Sequence, residues 1–151
     1  MTAEEDKQRV RDAAAAVQAC ADEFDERATS LREQLPQLPM EEGLRAAAMA
    51  LCAGLKDTAG RVMFELSLLQ AQLDERKADA GSAVQRLSRM DGVMMEALAP
   101  VADIVDKLEA DAERDEQNER AFVLVIEASG VMLQSLDKAR AATQALQSAL
   151  Q

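Results

Sequence analysis

Residues 10–35 read VRDAAAAVQACADEFDERATSLREQL. Val10, Val17, Phe24 and Leu31 recur every seven residues. Ala14, Ala21, Ala28 and Leu35 recur at the companion spacing. A seven-residue apolar repeat keeps one face of an α-helix turned towards a partner, as in a coiled coil. Three of these eight residues are alanine, so the partner helix is expected to approach closely. Thr2 with Glu5 fits a capping box at the start. Glu5 with Arg9 and Glu23 with Arg27 add i,i+4 charge pairs on the outer face. The run Leu35-Pro36-Gln37-Leu38-Pro39 ends the helix, because a residue before proline is pushed out of the α region.

The same periodicity continues outward from that turn. Pro39 suits the first turn of a second helix, and Glu41 and Glu42 suit its positive end. Its seam is Leu44, Ala48, Leu51, Cys52, Leu55, Ala59, Val62, Leu66, Leu69 and Leu73, with Gly54 and Gly60 inside the helix. Gly81 fits a left-handed helix end, and Ser82 with Gln85 a further capping box. Val84, Leu87, Met94, Leu98, Val101, Val105 and Leu108 form the third seam. Pro100 is expected to kink that helix, with Asp91-Gly92 as the alternative break. The acidic run from Glu109 to Arg120 reads as a helical hairpin tip, with Asn118 as the next N-cap. The fourth seam is Phe122, Val125, Ile126, Ser129, Met132, Leu133, Leu136, Thr143, Leu146 and Leu150. The run 121–126 alone resembles a buried strand, but no other segment is β-branched enough to pair with it.

The expected fold class is all-α: one domain over 1–151, an antiparallel bundle of about four long helices with coiled-coil-like seams. The helices are expected over about 3–35, 40–80, 82–110 and 119–150. The long alanine-rich seams of the first and last helices point to an intermolecular bundle, a dimer. Reflecting the first hairpin about its proline turn puts Cys20 near Leu55 and Cys52, making the thiols neighbours. Two buried, reduced cysteines are favoured over a disulfide.

Composition narrows the chemistry. Of 151 residues, 17 are Lys or Arg, 28 are Asp or Glu and none is His, giving a net charge of −11. Aromatic residues are three Phe alone. With 48% hydrophobic residues the chain is too apolar to stay disordered. Absence of His removes His-dependent triads and the usual di-metal carboxylate bundle. Cys20 and Cys52 lack a base to form thiolate, and no Gly-rich phosphate loop occurs. Aligning Asp111 with the first ligand of a Ca²⁺ loop puts Glu116 where Gly is needed and Phe122 where a bidentate Glu is needed. No catalytic residue, cofactor or metal is expected. The acidity argues against nucleic acid, whose binding rests on Lys and Arg, and against anionic membranes. No segment is apolar enough to insert in a membrane, and no basic-then-apolar leader opens the chain. A cytoplasmic setting is expected.

What remains is a non-enzymatic helical interaction module: an adaptor, a scaffold or a small acidic chaperone. It would pack amphipathic helices against a protein partner or against itself as a homo-oligomer. The alternatives are a self-assembling coat or filament protein and a binder of small apolar ligands in the bundle core. Eight methionines stand in for aromatic residues, as core filler, as an adaptable binding groove or as a soft Cu(I) site. The partner-binding residues expected are Met90, Met94, Met95, Phe122, Val123 and Ile126. Between Asp103 and Glu119 eight acids meet two bases, an acidic patch at one end of the bundle.

Overall fold

A computed structural model describes residues 3–151. The Thr2–Glu5 capping box lies outside the described residues. The described residues form five α-helices: α1 Ala3–Gln34, α2 Glu42–Asp74, α3 Ala80–Leu98, α4 Val101–Arg114 and α5 Glu119–Ala149. Single 3₁₀ turns at Leu35–Gln37 and Glu116–Asn118 sit in two of the connections. Among the described residues there is no strand, and 121–126 is helical.

The helices form four antiparallel arms, the third being α3 followed by α4. α1 packs on α2 and α5 and reaches across to α3; α3 and α4 each pack on α2 and α5. The α1 repeat is the axis of the core. Val10, Val17, Cys20, Ala21, Phe24, Ala28 and Leu35 have no exposed surface. Fully burying a Val, Leu or Phe side chain is worth about 1.5–3 kcal/mol. The α1 seam is therefore satisfied within one chain, as is the part of the α5 seam that runs through Val125, Met132, Leu136 and Leu146. The alanine-rich seams do not require an intermolecular bundle, because three arms of the same chain cover α1.

Three of the four connections depart from the sequence expectation for a local reason, while the break at Pro100 falls where it was expected. α2 begins at Glu42 rather than beside Pro39, because the Glu41 carboxylate caps it, accepting from Gly43 N at 2.8 Å and Leu44 N at 2.9 Å. Those two bonds hold the Glu41 carboxyl below its ordinary pKa. α2 stops at Asp74, short of Gly81. Arg76 takes the left-handed conformation, with φ of 61°. Its N–H donates to Leu73 O at 3.2 Å, and Lys77 N–H to Gln72 O at 2.8 Å, the paired bonds of a Schellman end. Gly81 lies inside α3, and Asp79 rather than Ser82 is the cap, accepting from Ser82 N at 2.7 Å. The third helix runs unbroken through Asp91-Gly92 and ends at Leu98. Pro100 has no N–H to donate to Glu96, so Ala99 N–H takes that carbonyl at 3.2 Å and α4 starts afresh.

Asn118 does not cap α5 with its side chain. It donates instead to Asp111 Oδ2 at 3.0 Å, and Glu41 N–H donates to the same oxygen at 3.2 Å. One buried carboxylate thus ties the α1–α2 connection to the α4–α5 connection. The acidic run is therefore partly structural.

The α1–α2 register also separates the cysteines. Arg11 pairs with Asp74 at 3.0 Å and Lys56 with Asp25 at 3.0 Å. Cys52 then falls level with Arg32, whose charge acts on it. Cys20 lies twelve residues from Arg32 along α1, about 18 Å of helix axis at 1.5 Å per residue. The thiols are not neighbours, because the α1–α2 connection is longer than a reflection about the prolines assumes. Both are buried and free.

Asp111→Ala is expected to cost about 2 kcal/mol in urea unfolding, since it leaves the Glu41 N–H and the Asn118 amide unpaired. The exposed Glu113→Ala should change stability by less than about 0.5 kcal/mol. Arg76→Gly should stabilise by about 1 kcal/mol, because a left-handed conformation strains any residue with a Cβ.

Candidate functional site

The six residues expected to bind a partner divide by helical position. Met90 and Met94 follow the inward face of α3 with Leu87 and Leu98, and both are buried. They are core filler. Phe122 packs half-buried against the edge of the core. Met95, Val123 and Ile126 are outside, at 41%, 38% and 44% exposure.

The reason lies in the phase of α5. Its buried row is Ala121, Val125, Ala128, Met132, Leu136, Ala139, Thr143 and Leu146. That row takes the alanines as its contacts, as the α1 seam does. Ile126 and Leu133, read as seam residues from the sequence, are rotated about 100° and 80° from Val125 at 100° per residue. They fall on an outward row, Val123, Ile126, Gly130 and Leu133, with spacing 3-4-3. Leu133 is 47% exposed and completes an apolar strip about 15 Å long. Met95, on α3, stands apart from this row, level with about residue 139 of α5. It lies one turn beyond Asp91, whose carboxyl faces Thr143 of α5.

Three further large apolar side chains stand outside. Val93 of α3 is 37% exposed, and Phe64 and Leu68 of α2 are 66% and 43% exposed. The signal for the α2 pair was present in the sequence: both fall between the seam positions Val62, Leu66 and Leu69.

The interior offers little reactive chemistry. Burial pushes the Cys20 thiol up to about 12, with Asp91 and Glu23 adding to the shift. Burial raises Cys52 to about 11 despite Arg32. Both thiols are protonated and poor nucleophiles near neutral pH. Among the described residues no group of three or more His, Cys, Asp or Glu side chains could hold a metal ion. A hollow of about 390 Å³ lies between the first turns of α1 and the Arg76–Ala80 connection, at the end of the bundle rather than on its axis.

Asp91 of α3 is a buried carboxylate with an unpaired oxygen, Oδ1. The Thr143 hydroxyl carries a single proton, directed to Ala139 O at 3.0 Å. Burial raises the Asp91 pKa; Thr143 and then Arg140 oppose the rise without cancelling it. The folded state therefore holds the Asp91 proton more tightly than the unfolded state does. Its contribution to stability falls as pH rises from the unfolded carboxyl value, about 3.9, through the folded one. Asp91→Asn is expected to stabilise the protein by about 1 kcal/mol at pH 7, with the gain shrinking as the pH falls towards about 4. Urea unfolding at the two pH values checks this; an equal difference at both would contradict it.

Across the described residues no helix is long and apolar enough to cross a membrane. No family model, no curated protein and no solved structure matches the chain.

Proposed function

We propose that this chain is a non-enzymatic helical interaction module whose binding surface is the outward row of α5, Val123, Ile126 and Leu133. The observation that carries the reading is the placement of that row. These side chains are large, apolar and regularly spaced, yet the core of α5 is already filled by another row. A helix needs no second apolar stripe to fold, and solvent-facing apolar rows at 3-4 spacing suit a groove-bound or side-packed helix.

The partner chemistry follows from charge. The row begins beside the acidic connection between α4 and α5, within the segment where eight acids meet two bases. An amphipathic helix with an apolar face and a basic flank matches both features, the charges favouring the encounter and fixing orientation. Such a partner is consistent with an adaptor, a scaffold or a small acidic chaperone.

The test uses a labelled helical peptide of Leu and Lys, followed by fluorescence anisotropy against the full chain. Binding is expected to weaken as salt rises. The double variant Val123→Glu with Ile126→Glu should weaken it at least about tenfold, the equivalent of about 1.4 kcal/mol. Both positions are solvent-facing, so the fold should stand. Equal affinity for a Leu and Glu peptide, or an unchanged affinity in the variant, would contradict the reading.

A further inference from the structure

The outer face of α2 carries a second pattern that the α5 surface does not use. Gly54 and Gly60 lie in the middle of a 33-residue helix. Glycine is a poor helix former, and a Cβ built at either position meets nothing within 4 Å. No close neighbour in the bundle requires either glycine, although Gly54 borders an open cleft against Ala97 and Pro100. On the same outward face stand Phe64 and Leu68, the former the most exposed large apolar side chain among the described residues.

The order along this face is small, charged, then large. Ala50 and Gly54 come first, Asp57 and Arg61 in the middle, Phe64 and Leu68 last. Asp57 and Arg61 are both largely exposed and pair with each other at 3.2 Å. An antiparallel copy of the same helix, related by a two-fold axis at the level of residue 59, sets each feature against its complement. Phe64 faces Gly54 of the second copy, Leu68 faces Ala50, and Arg61 faces Asp57. Each contact occurs twice, as an isologous interface requires. A parallel pairing would instead oppose Phe64 to Phe64 and Arg61 to Arg61. The large side chains then fill the gaps that the small ones leave, and the four charges alternate around the axis.

We infer that this chain forms a two-fold symmetric dimer through the outer face of α2, with Phe64 seated over Gly54 of the second copy. The inference rests on the reading of the chain as a helix-packing module but uses a different helix. A monomer that still bound the basic peptide would sink the dimer and leave the α5 surface standing, and the reverse outcome would do the opposite.

Mass in solution, measured by sedimentation at about 100 µM chain, tests it. The expected value is twice the 16.3 kDa of one chain. Gly54→Gln and Phe64→Asp should each return it to a single-chain mass with the helical circular dichroism unchanged. Asp57→Arg and Arg61→Asp should each weaken the dimer alone, and an equimolar mixture of the two should restore it, because the mixed pair regains opposite charges. Leu68→Cys under oxidising conditions should give no crosslinked dimer, since the two copies of residue 68 lie eighteen residues apart along the seam, about 27 Å. A wild-type monomer, a dimer indifferent to Gly54→Gln and Phe64→Asp, or efficient Leu68→Cys crosslinking would overturn the inference.

Discussion

The packing of the α1 seam is the interaction on which the rest of the structure depends. α1 touches all three other arms, as α3 does, but packs most extensively on α2 and α5, and its inward residues alternate Val, Phe or Leu with Ala or Cys. Small residues let α2 and α5 approach closely, while Phe24 and the leucines fill the space that remains. The longer side chains of α2, α3 and α5, above all Leu55, Leu69, Leu87, Met90 and Met132, complete the core from the opposite sides.

That core has a consequence for the surface. Each arm spends one row of residues on the interior, and a second apolar row on the same helix has nothing inside to meet. This separates α5 into a filled row through Val125 and Leu136 and an open row through Ile126 and Leu133. On α2 it separates Leu66 and Leu69 from Phe64 and Leu68. The exposed rows, not the cysteines or carboxylates, are where the chain departs from what folding alone demands. Cys20 and Cys52 are held protonated by burial, and Asp111 is held by two hydrogen bonds that close one end of the bundle.

The α1 helix and its seam were legible from the seven-residue spacing, save that Ala13 rather than Ala14 is buried, and so was the four-armed all-α architecture. The inward seam of α2 was equally legible, since every residue expected in it is buried. Three of the four connections were not. Glycine at 81 suggested a helix end, but the chain turned at Arg76, where backbone hydrogen bonds to Gln72 and Leu73 offset the strain. Proline at 39 suggested a helix start, but the Glu41 carboxylate offered the better cap. The α5 surface was half legible. Val123 and Ile126 were singled out because the segment is apolar all round, whereas periodicity could not tell which row faced inward when the true seam residues were alanines. Met90 and Met94 were misplaced for a related reason: methionine serves a core gap and a binding groove alike, and only the phase of α3 against Leu87 decides.

The separation of a filled row from an open one is the central claim, and the sequence supplies a direct probe of it. The chain has two isoleucines, Ile104 at 6% exposure in the α4 core row and Ile126 at 44% in the open row of α5. A sample labelled only at isoleucine δ1 methyls gives two NMR signals, whose broadening by a soluble paramagnetic agent reports solvent contact. Strong broadening of Ile126 beside a nearly unaffected Ile104 is the predicted result. An Ile126 methyl as protected as Ile104 would contradict the account.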